Sequence, residues 1–210
     1  MKLVVATTNL HKLAEYRRLL SGHKLITLKK SLDVAETGKT LRANAVLKAK
    51  AYGRLTNLPV LADDTGLFVD AIYGRPGIRS ARWTKGDFAL ARKKILKALL
   101  GLPKSKRTAR FECAIAWYEP KTKKLMSFTG ICRGLINQSE QGNAGFGYDS
   151  IFYHQKLKKT FGQVRPEQKD KVSHRAKALG VCNPGSSRTD QGIRVYGPVQ
   201  SSSLMLPWRP

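Results

Sequence analysis

The chain has 210 residues, 41% of them hydrophobic, which suffices for one large domain or two small lobes around a proper core. Its 39 lysines and arginines stand against 14 acidic residues, a net charge of +25, so its field draws polyanions, whether phosphate-rich small molecules or nucleic acid. No apolar run approaches the ~18 residues of a membrane span, and Met1–Ala6 is too short for a secretory apolar region. The widely spaced Cys113, Cys132 and Cys182 fit neither a zinc pattern nor a disulfide framework, which points to a reducing, cytoplasmic setting.

Leu3–Ala6 reads as a first strand, and Thr7-Thr8-Asn9 turns it into a helix with Leu10, Leu13 and Leu20 on its apolar face, stopped by Ser21-Gly22. A helix start offers free N–H groups and the positive end of the dipole to an anion, and Lys12 sits one turn in. By itself, the same stretch is also an ordinary N-cap beside a surface lysine. Leu25–Leu28 suggests a second strand, residues 33–40 a loop around Glu36-Thr37-Gly38, and Leu41–Leu55 an alanine-rich helix.

Leu58–Ala62 then reads as a buried strand, with Pro59 near its start, that gives way to Asp63-Asp64-Thr65-Gly66. Strand ends are where α/β folds place chemistry. Side chains alternate on a strand, so only one of the two aspartates can face a cleft and hold a hard cation such as Mg²⁺ through oxygen. Taken alone, the motif is equally an Asx turn.

Gly74-Arg75-Pro76-Gly77 reads as a turn-rich loop, and Phe88, Ala91, Ile95 and Leu99 mark a helix ended by Gly101 and Pro103. Thr108–Tyr118 alternates, with Phe111, Cys113, Ile115 and Trp117 on one face, and Lys124–Ile136 returns as the partner of an antiparallel hairpin. In Gly145-Phe146-Gly147-Tyr148-Asp149 the glycines let backbone approach a ligand and the aromatics offer stacking surface. Lys169, Lys171, Ser173, His174 and Arg175 cluster after it, and residues 180–210 have the composition of an irregular tail outside a domain of residues 1–179.

Together these stretches resemble the inosine triphosphate pyrophosphatase family of non-canonical purine nucleoside triphosphate pyrophosphatases. The matching motifs are Ala6–Lys12, Glu36-Thr37-Gly38 with Asn44-Ala45 and Lys48-Ala49, Leu61–Gly66, Gly77 with Ser80-Ala81-Arg82, Gly145–Phe152, and Lys169 with Ser173-His174-Arg175. Six in order make the resemblance specific. It implies an α/β fold, an elongated mixed β-sheet flanked by helices as two lobes around a central cleft. It implies Mg²⁺-dependent hydrolysis of ITP, dITP and XTP to the monophosphate and pyrophosphate by a cytoplasmic homodimer, with no stable nucleic-acid partner and no membrane.

By the same resemblance, Thr7, Thr8, Asn9, Leu10, His11 and Lys12 hold the phosphates. Glu36 and Asp64 bind the metal, and Asp64 also accepts the proton of the attacking water. Thr65 touches substrate, while Phe146, Gly147, Tyr148, Asp149, Lys169, His174 and Arg175 hold the nucleotide and its base. Asp63 is left a supporting neighbour. The chain departs from the family in Ala43 where a Glu is common, in Ser150 where Pro is usual, and beyond Leu179, where the expected amphipathic pattern stops. Two other readings compete: a basic nucleic-acid-binding domain, and an inactive nucleotide sensor on the same fold.

Overall fold

The computed structural model describes residues 2–28 and 32–182. An eight-stranded mixed sheet runs through it, flanked by helices. β1 (Lys2–Val5) is parallel to β2 (Lys24–Ile26) on one side and to β3 (Val60–Val69) on the other. The sheet continues antiparallel through β5 (Thr108–Glu119), β6 (Lys124–Ile136), β7 (Phe152–His154) and β8 (Lys159–Thr160), and β4 (Arg75–Gly77) pairs with the far end of β3. The 5–6 hairpin is as expected from its alternation, whereas the second strand is shifted and shorter than Leu25–Leu28.

Helix α1 (Leu10–Leu19) starts where the Asn9 side chain accepts from the backbone N–H of His11 and Lys12. Its buried side is formed by Leu13, Tyr16 and, partly, Leu20, while Leu10 is 77% exposed and lies off the expected apolar face. Helix α2 (Leu41–Thr56) is capped by Thr40 and ends at Asn57 in the left-handed region, with Ala45, Ala49 and Tyr52 turned to the sheet. Small side chains at that spacing let the helix lie close against the strands. α3 (Phe88–Ala98), the short α4 (Pro166–Asp170) and α5 (His174–Cys182) complete the helices. α5 carries regular structure past residue 179, and the rest of the expected tail, 183–210, lies outside the described residues.

Strand alternation sorts the core. Val60 and Ala62 face α2 in one cluster, Leu61 faces Leu3, Tyr16, Ile115 and Ala178 in a second, and Leu67 and Val69 join Ile95, Phe111 and Phe152 in a third. One strand, β3, therefore leaves one apolar region and enters another. Asp63-Asp64-Thr65-Gly66 is the polar interval between them. It is not a strand end followed by a turn, as the apolar run suggested: it stays in extended structure, paired residue for residue with β5 from Ile115 to Glu112.

Candidate active site

The feature that opens the site is an unpaired edge. β1 last pairs with β3 at Leu61, where the Ala6 N–H donates to the Leu61 carbonyl at 2.9 Å, because Thr7-Thr8-Asn9 then turns away into α1. β4 joins the same edge only at Leu67. Between the two, residues 62–66 have a neighbouring strand only on the β5 side, and Asp63 and Asp64 project to opposite faces of this gap.

Asp63 points to the α1–α5 side and is buried. Its Oδ2 accepts from Lys12 Nζ at 2.9 Å, Arg175 Nη2 at 2.9 Å and Thr65 Oγ1 at 3.0 Å. Burial alone would raise its pKa, but Lys12, Arg175 and Lys48 outweigh that and hold it well below the usual carboxylate range. The network continues: Arg175 Nη1 bonds Glu15, Lys169 Nζ reaches Glu15 at 2.9 Å and Asp149 at 2.6 Å, and the Asp149 carboxylate accepts the Phe146 N–H at 2.8 Å. Three cations and three carboxylates thus join α1, β3, α4, α5 and the 145–149 loop. The His11 ring closes the circuit by stacking on Phe146, 5.1 Å between centroids and 11° between planes.

Asp64 points to the α2 side. Its Oδ2 accepts from Asn44 Nδ2 at 2.9 Å and its Oδ1 from the Thr65 N–H at 2.9 Å. Asn44 is itself fixed by accepting from the Gly38 N–H at 2.8 Å. Glu36 bonds Lys48 Nζ at 2.6 Å and Arg82, which lower its pKa against the opposing effect of burial. Asp64 is different: burial raises its pKa, Lys48 pulls it back, and Glu36 raises it again. Lys48, its own pKa raised, feels Asp63, Asp64 and Glu36 together despite the opposing burial.

A cation side chain thus already occupies the field between Glu36 and Asp64. Their hard oxygens suit Mg²⁺, which takes one or two carboxylates and completes its shell with water and phosphate. Among the described residues no group of three or more His, Cys, Asp or Glu side chains gathers at one point.

The other expected residues fall in three places. Thr7, Thr8, Asn9, His11 and Lys12 lie at the mouth of the gap, with Thr7 Oγ1 accepting from the Asn9 N–H at 3.2 Å. Phe146 and Gly147 line the loop beyond, Gly147 offering its carbonyl to Arg92 at 2.8 Å. Tyr148 is buried, its hydroxyl donating to the Ser80 carbonyl at 2.8 Å and its ring edge-on to Phe88, so its present role is to fasten the loop to the core. His174 and Arg175 are also buried, His174 stacked on Phe111 at 4.7 Å and Arg175 fully enclosed.

Cys113 and Cys132 are buried free thiols, as expected, with burial as the main reason their pKa values are pushed up to about 12 and about 11. Sequence reading gave no role to Glu15, Asn44, Lys48 or Arg82. Two of them carried a signal: Glu15 lies one turn after Lys12, and Lys48 one turn after Asn44, so each pair shares a helix face.

The sequence matches the Ham1 family over residues 3–182. It is 43% identical over 185 residues to a dITP/XTP pyrophosphatase of Geobacillus kaustophilus, a match covering 85% of this chain and 90% of that protein. Among solved structures it is similar to the Staphylococcus aureus Ham1 protein, with a TM-score of 0.76, 36% identity and coverage of 87% of this chain and 96% of that one. A HAM1 protein from Coxiella burnetii gives a TM-score of 0.77 at 35% identity, covering 87% and 96%. A family match across most of the chain, relatives above 40% identity and the same fold in solved structures agree: this chain belongs to the Ham1 family.

Proposed function

We propose that this protein hydrolyses deaminated purine nucleoside triphosphates, dITP, ITP and XTP, to the monophosphate and pyrophosphate, and so keeps them out of nucleic acids. The observation that carries the reading is Asp64, a carboxylate with a raised pKa at the open edge of β3, next in the chain to Asp63, which meets Lys12 of α1 on the opposite face. Relatives named dITP/XTP pyrophosphatase support the substrate class.

A triphosphate carries about four negative charges, so its cleavage is mostly positioning and charge neutralisation. Thr7 to Lys12 hold the phosphates, with Lys12 exchanging Asp63 for a phosphate oxygen. Asp64, oriented by Asn44, takes the proton of the water that attacks the α-phosphorus, and the β–γ unit leaves as pyrophosphate. A base is most effective when its pKa approaches the working pH, and burial moves Asp64 in that direction. Glu36 and Asp64 would hold Mg²⁺, which when bound supplies charge neutralisation at the phosphate oxygens. The two lobes of the resemblance correspond in this proposal to the apolar clusters on either side of residues 63–66.

For the base, the His174 imidazole has its pKa driven well down by burial and then by Arg175 and Lys169, which favours its neutral form. His174 Nδ1 and Arg175 Nε have no hydrogen-bond partner among the described residues. These unspent groups suit the edge of a hypoxanthine or xanthine ring. In this proposal the protein works in the cytoplasm as a homodimer.

Pyrophosphate release from ITP, XTP, GTP and ATP, with and without Mg²⁺, tests the reading. Metal-dependent release from ITP and XTP at far higher kcat/KM than from ATP is the expected result. Equal turnover of ATP overturns it.

A further inference from the structure

A second concavity lies beyond the N-terminus of α2, a groove of about 1250 Å³ over the sheet. Its floor carries Phe68, Ala114 and Ile131. Strand register places Asp64, Ala114 and Thr129 in one cross-strand row and Phe68, Arg110 and Arg133 in another, so the groove extends the face on which Asp64 stands. Lys12, Phe146 and Lys169 do not line it. Its rim is basic, with exposed Lys39, Arg133, Lys156, Lys171 and Lys177. Among the described residues its lining holds a single carboxylate, Glu112, and that is already taken by Arg110 at 2.5 Å. A concave, one-signed lining over an apolar floor focuses the field and concentrates counter-ions.

We propose that this groove binds a single strand of nucleic acid, with phosphates on the basic rim and base faces over the apolar floor, a combination that holds single strands without reading sequence. This is an interaction beyond pyrophosphate release and does not depend on it. Charge selects this occupant. A second copy would bring the same cations and another +25 to the contact. The chain's own residues 183–210 contain three arginines and one aspartate, and so do not complement the groove either.

The test is fluorescence anisotropy of the full-length protein with a labelled, mixed-sequence single-stranded DNA of about 20 nucleotides, titrated from about 50 to 200 mM salt. Binding that weakens linearly in log affinity against log salt is expected. The triple variant R133E/K156E/K171E should lose at least ~10-fold in affinity and flatten the salt slope by roughly 0.7 per lost phosphate contact. K93E/K94E/K97E, an equal charge change on exposed positions of α3, should keep the wild-type slope. Both variants should retain wild-type thermal stability and pyrophosphate release from ITP.

No binding at ~50 mM salt overturns the proposal. So does an equal loss in both triple variants, which would mark a diffuse surface field, or unchanged binding by the groove variant. Sedimentation showing a wild-type dimer that R133E/K156E/K171E dissociates would give the groove to a second copy instead.

Discussion

Asp63 and Asp64 are neighbours in sequence but stand on opposite faces of β3, and burial has opposite outcomes for them. Asp63 meets Lys12 and Arg175 and is held well below the usual carboxylate range. Asp64 meets a neutral amide, Asn44, and the field of Glu36, and burial prevails. One is a fixed anion that organises cations, and the other, with its pKa raised, is the base of the proposed reaction.

The difference separates two substitutions that look alike. Asp64→Asn removes the proton acceptor and a metal-binding charge, and turnover should fall by at least the ~10²–10⁴-fold typical of a lost general base. A carboxylate whose folded pKa is raised above its unfolded value costs stability wherever it is ionised, a relief that offsets the one acceptor the amide lacks toward Asn44 and Thr65, so the variant should stay folded at pH 7. Near-normal turnover in the folded variant would remove Asp64 from its role.

Asp63→Asn should act mainly on the fold. It leaves buried Arg175 and partly buried Lys12 without their shared anion, and breaking such a pair costs about 3–5 kcal/mol, or roughly 6–20 °C in melting temperature for a chain of this size. The depressed pKa sets the pH dependence. Asp63 stabilises the native state above its unfolded pKa, and that contribution is lost as pH falls through the lower folded value. The gap between wild type and variant should therefore persist at neutral pH and close only in strong acid. A gap that closes near pH 6 would contradict the assignment.

Much of this was legible beforehand. The start of α1 is written in Asn9, whose side chain caps its first turn, and the 5–6 hairpin in its two-residue period, whereas the caps Thr40 and Asp87 of α2 and α3 are seen only in the structure. The continuation of β3 to Val69 was not legible, because four polar or small residues interrupt its apolar run. Their backbone is satisfied by β5, some fifty positions away, which a local pattern does not register. Likewise Lys169 and Arg175 could be marked as a basic cluster, but the carboxylate that joins them, Glu15, is 154 and 160 positions distant. The exposed Leu10 and the buried Tyr16 exchange the places that hydrophobicity alone suggests, because the buried side of α1 runs through Leu13, Glu15 and Tyr16.

Gly130 links packing to the site. A Cβ there would lie 2.1 Å from the His174 carbonyl oxygen and 2.3 Å from the Ala178 nitrogen, both backbone atoms of α5. Gly130→Ala must push α5 off β6, at a cost of about 1–3 kcal/mol, and displaces Arg175 and His174 with it. Stability and kcat/KM for ITP should fall together. Gly180→Ala is the contrast: a Cβ meets nothing within 4 Å, and the helical position should gain about 0.5–1 kcal/mol in thermal unfolding. A neutral Gly130→Ala would mean that α5 is not seated as tightly as its backbone positions indicate.

The pH profile of kcat carries the strictest test, because two variants should move it in opposite directions. Asp64 works deprotonated, so the acid limb of the profile follows its pKa. Burial raises that value, Lys48 lowers it and Glu36 raises it. Lys48→Met removes the lowering charge, so the acid limb should move to higher pH. Glu36→Gln removes a raising charge, so the limb should move to lower pH. Both variants will be slower, since Lys48 holds Glu36 at 2.6 Å and Glu36 is a proposed metal-binding carboxylate, so the position of the limb and not the rate is the readout. At saturating ITP and Mg²⁺ the limb reports the enzyme–substrate complex, and kcat/KM reports the free enzyme. Opposite displacements in the free-enzyme profile would tie the titrating group to the shared field of Lys48 and Glu36, which acts on Asp64. Displacement in the same direction, or none, would assign the acid limb to another group and leave Asp64 as a metal-binding carboxylate alone.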